Sequence, residues 1–311
     1  MIAVTKIRAL TLDAPTAPGR PAYVSAASGL VSHGPFLYVI ADDEHHLGIF
    51  RRDDPAPGTH VRLVEGDLPH DHKARKTAKP DFEALTFLPP FEGYPHGALL
   101  AAGSGSKANR RQGALLGVGA DGAVQSEPRV ADLGLLMTPL EAEFGKINIE
   151  GLVIAGDELR VLQRGNKGHR RNAVARFALT PFLENLVRAG ANPLSPLSIA
   201  DYDLGDIKGV PLTFTDAAML PNGEMVFAAV GEDTEDSYAD GPCAGTAIGL
   251  IGADGALRWT EPVAETCKVE GVGARLDGDT LNLLLVTDAD DIAVPAALYA
   301  AEINRRSGQS P

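Results

Sequence analysis

One short phrase returns five times along this chain and limits what it can fold into. It reads Ser28-Gly29-Leu30, Glu83-Ala84-Leu85, Glu150-Gly151-Leu152, Asp216-Ala217-Ala218 and Glu270-Gly271-Val272. Each copy is a polar residue, a small residue and, usually, an aliphatic one. Successive copies are 55, 67, 66 and 54 residues apart, and passing from the last copy through the C-terminus to the first takes 69. A period of this size, returning five times, points to a propeller or a solenoid.

The third copy shows the plan of one repeat. Leu152-Val153-Ile154 leads to a turn at Ala155-Gly156-Asp157-Glu158, and Leu159-Arg160-Val161-Leu162-Gln163 follows. After a polar loop come Ala173–Leu179, a segment fitting a short helix (181–188), and a last strand over Leu197–Tyr202. The apolar runs are short, bounded by turn residues and rich in β-branched residues, so they read as strands. Four antiparallel strands per repeat make the blade of a β-propeller. The phrase Gly-Ala-Asp-Gly-Ala stands at 119–123 and again at 252–256, at the same place in the second and fourth repeats. Asp-Gly is a strong hairpin signal. The fifth repeat runs out of chain before a fourth strand, while the N-terminus has a spare one within 6–13. The expected fold is therefore all-β: one five-bladed propeller with blades near 24–66, 80–134, 147–205, 213–264 and 267–304. Pairing of the N- and C-terminal strands would close the ring and remove an exposed edge.

Composition supports a turn-rich single domain, with 34 glycines and 22 prolines in 311 residues. The net charge of −13 argues against a general nucleic-acid or anionic-membrane binder. No apolar run is long enough to span a bilayer. The N-terminus lacks the basic and apolar regions of a secretory signal, so a cytoplasmic location is expected. The two cysteines, Cys243 and Cys267, make no disulfide framework.

In a propeller the first strand of each blade lines the central channel. Glu83, Glu150, Asp216 and Glu270 should thus converge at one mouth, with Ser28 as the fifth member. Four carboxylates cannot all stay ionised at close range without compensation. A bound cation, Lys or Arg partners, or hydrogen bonds from strand-end amides could supply it. A hard divalent ion such as Ca²⁺ accepts carboxylate and carbonyl oxygens. Loops after the second strands reach the same face, and Asn166 and Asp288 are further candidate ligands there. Basic residues gather in three loops of that face: Lys73, Arg75, Lys76 and Lys79; Lys107, Arg110 and Arg111; Arg164, Lys167, Arg170 and Arg171, with His169 beside them. Such clusters suit phosphate or carboxylate. Phosphate loops, His-Glu-x-x-His and nucleophile-elbow motifs are absent.

The phrases Asp81-Phe82-Glu83-Ala84-Leu85, Asn148-Ile149-Glu150-Gly151-Leu152 and Lys268-Val269-Glu270-Gly271-Val272, with Arg164-Gly165-Asn166, resemble a family of uncharacterised bacterial β-propellers near the phytase-like propellers. The Glu-Gly-Leu openings also resemble the senescence-marker and gluconolactonase propellers. That resemblance implies a divalent metal, often calcium, at the channel mouth, with Glu83, Glu150, Asp216 and Glu270 as site residues and Asn166 as an amide ligand. Ser28 breaks the pattern in the first blade. The expectation is a metal-dependent hydrolase for an anionic small molecule, a phosphate ester or a lactone. Glu83 and Glu150 would serve as ligands or base, Arg164 and Lys107 would stabilise charge, and Lys79, Arg110, Arg111, Lys167, His169 and Arg170 would hold the substrate. The alternative is a non-catalytic binding platform whose channel acids are structural.

Overall fold

The computed structural model describes residues 1–165, 171–188, 192–233, 243–265 and 267–305, with the backbone alone at His72. Five antiparallel sheets stand around a central axis as the blades of a propeller. From the axis outward, blade one is Ala27–His33, Phe36–Ala41, His46–Arg51 and Thr59–Arg62. Blade two is Phe82–Leu88, Ala98–Gly103, Gln112–Gly117 and Arg129–Asp132. Blade three is Ile149–Ala155, Glu158–Gln163, Asn172–Ala178 and Ser198–Tyr202. Blade four is Val210–Met219, Met225–Glu232, Cys243–Ile251 and Leu257–Pro262, and Asp206–Ile207 adds a two-residue fifth strand beside the first. Blade five takes Lys268–Asp277, Thr280–Asp288 and Ala297–Asn304 from the end of the chain. Its outermost strand is the N-terminal Thr5–Ala9, antiparallel to Ala297–Asn304.

The apolar residues divide into five clusters, one in each seam between neighbouring blades. The seam between blades five and one joins Val286 and Leu298 to Leu30, Val39 and Leu10. The ring is thus closed by burial as well as by strand pairing, and non-directional apolar contact is the main source of cohesion. Among the described residues three α-helices decorate it. α1 (His72–Ala78) precedes blade two and is capped by Asp71, whose side chain accepts from the Ala74 amide at 2.8 Å. α2 (Gly134–Phe144) links blades two and three, and α3 (Leu179–Leu186) buries Leu179, Phe182, Leu183 and Leu186 against the same cluster. Among the described residues no helix is long and apolar enough to cross a membrane.

The two Gly-Ala-Asp-Gly-Ala copies fold alike. The Gly119 amide donates to the Ala123 carbonyl and that of Gly252 to Ala256, both at 2.8 Å. Gly122 and Gly255 take φ of +82° and +83°, a conformation that costs glycine little and other residues more.

Each innermost strand slips register by one residue where the repeated phrase begins. The unpaired residues are Ser28, Glu83, Glu150, Thr215 and Glu270. A bulge re-aims the side chain of the extra residue, which explains why a polar residue recurs there. It also corrects the sequence alignment in blade four. The repeated position is Thr215, and Asp216 stands where the other blades carry Gly29, Ala84, Gly151 and Gly271. In those four blades the second position is small, and inner strands approach each other closely there. A Cβ on Gly271 would meet the backbone of Gly29 and Leu30 at 3.1 Å.

Candidate site at the channel mouth

The bulges bring Glu83, Glu150 and Glu270 to one end of the channel, and interleaved cations hold them there. Arg164, just beyond the second strand of blade three, bonds Glu150 at 3.2 Å and Glu232 at 2.7 Å. Lys268 spans Glu232 at 2.9 Å, Glu270 at 3.3 Å and Asp290 at 2.9 Å. On the other side Lys79 binds Asp42 and lies 2.9 Å from Asp81, which also receives Arg110 at 2.6 Å. Among the described residues, seven carboxylates here (Asp42, Asp81, Glu83, Glu150, Glu232, Glu270 and Asp290) share the four cations Lys79, Arg110, Arg164 and Lys268.

Glu83 is not one of the carboxylates these cations hold directly. It makes no hydrogen bond or ion pair with the described residues, and burial, with Asp81 and Glu150 adding to it, pushes its carboxyl well above the usual range. Burial likewise raises Glu150 against the pull of Arg164, and Glu270 against Lys268 and Arg164. Burial opposes the Lys79 ammonium, but Asp42, Asp81 and Glu83 outweigh it and raise its pKa.

Asp216 lies deeper and does something different. It is almost wholly buried, and its Oδ2 accepts the Val272 amide of blade five at 2.8 Å. Its other oxygen is buried without a partner meeting hydrogen-bond geometry. Burial pushes its carboxyl well above the usual range, against the pull of the Val272, Ala217 and Leu30 amides. It acts as a cap on neighbouring inner strands, one of the three forms of compensation expected from sequence. The hydroxyls at the bulges of blades one and four do related work: Ser28 Oγ donates to the Phe82 carbonyl at 2.5 Å and Thr215 Oγ1 to the Val269 carbonyl at 2.8 Å.

Among the described residues, one group has the spacing of a cation site. Ligand oxygens of Asp42, Asp81 and Glu83 lie within 4.8 Å of one another. Asp42 follows the second strand of blade one, and the other two flank the bulge of blade two. Asp81 holds φ at +57°, a conformation that is uncommon outside glycine and that recurs at functional sites. Ser104 Oγ at 2.5 Å and Arg110 fix its side chain. All the donors are hard carboxylate oxygens, which fit Ca²⁺ or Mg²⁺ rather than a soft metal. A cavity of about 360 Å³ opens beside Asp42, in the seam between blades one and five. Its walls include Ser25, Lys76, Lys79, Asp288, Asp291 and Ile292.

The remaining sequence candidates are dispersed. Arg111 bonds Glu141 of α2 at 2.7 Å, and Arg171 bonds Glu143 and Asp201. Arg75 of α1 is buried against Glu44 at 3.1 Å, beside Arg20, which reaches the same carboxylate at 2.6 Å. Lys107 lies in the field of Arg110, Lys76 and Lys79. Burial, then Arg110, pushes its ammonium below the usual range against the pull of Asp81. Asp288 lines the cavity and accepts the Asp290 amide at 2.8 Å. Asn166, Lys167, His169 and Arg170 lie outside the described residues.

Asp81, Lys268, Asn148 and Thr213 were not among the sequence candidates. A signal for them exists, because each stands two residues before a bulge and faces the mouth. Asn148 donates to Glu150, and Thr213 receives Arg164 Nε at 3.1 Å.

Residues 23–303 match the model of a family of unknown function, DUF6929. The chain belongs to that family. No curated protein matches it in sequence. Among solved structures, the chain is similar to a luciferin-regenerating enzyme at 12% identity, covering 97% of this chain and 95% of that one with a TM-score of 0.45. The Myxococcus xanthus glutaminyl cyclase shares 10% identity over 97% and 98% of the two chains with a TM-score of 0.49. The Penicillium chrysogenum α-L-arabinanase shares 10% over 97% and 99% with a TM-score of 0.43. Likeness at this level says nothing of the chemistry at the mouth of this DUF6929 propeller.

Proposed function

We propose that the channel mouth binds a divalent cation, Ca²⁺ in the first place, between Asp42, Asp81 and Glu83, and that the protein hydrolyses a small anionic ester entering through the adjoining cavity. The observation that carries this reading is the close set of three hard oxygen donors, of which Glu83 has no partner among the described residues, at the edge of a cavity of about 360 Å³. A phosphate ester or a lactone, as the phytase-like and gluconolactonase-type resemblances imply, remains the substrate class of this reading.

A divalent ion held there would polarise an ester oxygen and favour ionisation of water. The chain supplies the rest. Ser104 and Arg110 hold Asp81 in place, so the donor set is oriented before a ligand arrives. Lys79, between Asp42 and Asp81, neutralises part of their charge and competes for their oxygens. Lys107, whose ammonium is disfavoured by burial and then by Arg110, gains by meeting an anion. Burial raises the carboxyls of Glu83 and Glu150, so each holds its proton more tightly than an ordinary carboxyl, and these two are the groups placed to pass a proton at the mouth. Arg164 fixes Glu150.

The interleaved cations favour a second reading, in which Lys79, Arg110, Arg164 and Lys268 make the mouth a structural ion ring on a binding platform. Thermal unfolding separates the two. A ligand at 100 times its Kd adds about 2.7 kcal/mol, a shift of a few degrees at this chain length. An upward shift with Ca²⁺ or Mg²⁺, reversed by EDTA and lost in Glu83→Gln, supports the metal site. With that ion present, turnover of phosphomonoesters and lactones is then assayed. Absence of any shift, with no metal found by elemental analysis of the purified protein, favours the ion ring.

A further inference from the structure

A second cavity, of about 160 Å³, lies between α1 and the start of the third strand of blade one. Arginines and histidines dominate its polar wall, with Glu44 as the buried acid among them. Most of these charges have partners. Glu44 Oε1 receives Arg20 at 2.6 Å and Arg75 at 3.1 Å, and its Oε2 lies 3.5 Å from His46 Nδ1. Arg62 pairs with the exposed Asp67 at 3.3 Å.

Two groups keep unused hydrogen-bonding capacity. The Arg20 side chain is only 4% exposed, and its Nε and Nη2 are the atoms that bind Glu44, Asp43 and Ser25. Its Nη1 has no partner among the described residues, and such a nitrogen carries two N–H donors. His45 is buried as well. Its Nδ1 lies 3.1 Å from the Gly66 carbonyl, and because a carbonyl only accepts, Nδ1 is the ring's donor. Burial lowers the pKa of this imidazole. Near neutral pH the ring is therefore uncharged, and Nε2 is an acceptor with no partner among the described residues. Arg75 adds a charge argument. Burial, then Arg20, pushes its guanidinium below the usual range against the pull of Glu44 and Asp43, so the two arginines repel and a negative group beside them relieves both.

We propose that this cavity binds a small oxyanion that carries a hydroxyl, of the hydrogenphosphate type, its charged oxygens accepting from Arg20 Nη1 and its O–H donating to His45 Nε2. The pairing of donor and acceptor sets the class. A guanidinium favours phosphate and carboxylate oxygens. An imidazole acceptor asks in addition for an O–H, which phosphate has near neutral pH and which sulfate and simple carboxylates lack. The volume falls below that of cavities that take drug-sized ligands and suits a tetrahedral oxyanion. The site needs no divalent ion and uses none of Asp42, Asp81 and Glu83, so it is independent of the cation site. His70 and Arg75 line both cavities, which places the anion one wall away from the mouth.

The test is calorimetric titration of the full chain, free of divalent ions, with inorganic phosphate and with sulfate at matched ionic strength. Phosphate should bind about tenfold tighter than sulfate, because sulfate leaves the His45 acceptor buried without a donor. His45→Phe should erase that preference by weakening phosphate. This variant keeps its fold, since Arg62 Nη1 still donates to the Gly66 carbonyl. Arg20→Lys keeps a cation beside Glu44 and removes the Nη1 donors, and it should weaken both ions about tenfold or more. Where Arg20→Lys does not fold, His45→Phe and the comparison of the two ions decide. Equal affinity for the two ions, no binding of phosphate, or a preference that survives His45→Phe each overturns the site. Phosphate binding that is lost in Lys76→Ala, on the wall of the other cavity, and kept in Arg20→Lys also overturns it. Each of these outcomes leaves the ester reading standing, because that reading is tested with Ca²⁺ present.

Discussion

Thr215 in blade four makes the contact that Ser28 makes in blade one. Each hydroxyl stands on the inner-strand bulge and donates to the carbonyl just before the next blade's bulge, Thr215 to Val269 and Ser28 to Phe82. In blades two, three and five the same position is a glutamate aimed at the mouth. The bulge is thus common to all five blades, and the side chain on it decides between stapling a seam and charging the channel. Thr215 is fully buried. Thr215→Val keeps its shape and strands the Val269 carbonyl, so denaturant unfolding should show a loss of about 1–3 kcal/mol. Thr215→Ser should lose much less. Equal losses in the two would mean that the hydroxyl is not the cause.

Asp216 carries the second prediction. Its carboxyl is raised above the unfolded value by burial. A raised carboxyl contributes stability that is fully present below the unfolded pKa and declines as pH rises toward the folded one. Asp216→Asn keeps an oxygen for the Val272 amide and removes the ionisation. Other raised carboxyls titrate in both proteins, so the comparison is a difference. From pH 4 to 9 the midpoint of the wild type should fall relative to that of Asp216→Asn. A constant difference would show that the wild-type carboxyl does not resist ionisation.

The fold was legible because the signals were local and repeated. Asp-Gly and Asn-Gly turns, short apolar runs and a fivefold phrase each specify one blade, and the spare N-terminal strand announces closure. The site was legible only in part. Glu83, Glu150 and Glu270 stand at the mouth as the phrase suggests. The phrase alone pointed to the wrong register in blade four, because Asp216-Ala217-Ala218 fits polar-small-aliphatic while the register the bulge sets, Thr215-Asp216-Ala217, places a carboxylate at the small position. Nor could it show where the cations go. Arg111 and Arg171 turn to carboxylates on and near α2, a helix that short-range pattern did not reveal, and Arg75 turns inward to Glu44. Partners of this kind are distant in sequence and follow from the way blades and helices meet.

Glu44 should contribute to the acid side of the stability profile. Burial works against its ionisation, but His46, Arg20 and Arg75 outweigh it and bring its pKa down to about 2. A lowered carboxyl contributes stability above its unfolded pKa, and that stability is lost as pH falls through the folded value. The wild type should therefore lose stability between about pH 4.5 and 2, and Glu44→Gln should show a shallower decline there. At pH 7 the same variant leaves Arg20 and Arg75 with less compensation and should be destabilised by about 3 kcal/mol or more. A variant as stable as the wild type at pH 7 would count against the pairing.

Lys79 gives the sharpest test of the cation site, because it is bound by two of the three proposed ligands. Its side chain is largely buried. Lys79→Met retains much of the volume and leaves Asp42, Asp81 and Glu83 facing one another with Arg110 as the nearest compensation. Removing one partner of a buried ion pair costs about 3–5 kcal/mol, so the apo variant should unfold well below the wild type. If the three carboxylates bind a divalent ion, Ca²⁺ now meets the same oxygens without a competing ammonium. Added Ca²⁺ should then raise the variant's unfolding midpoint more than it raises that of the wild type, and the double variant Lys79→Met/Glu83→Gln should lose that gain. A Ca²⁺ response no larger in Lys79→Met than in the wild type would place any bound ion elsewhere, and Lys79 would be a counter-ion to the ring alone.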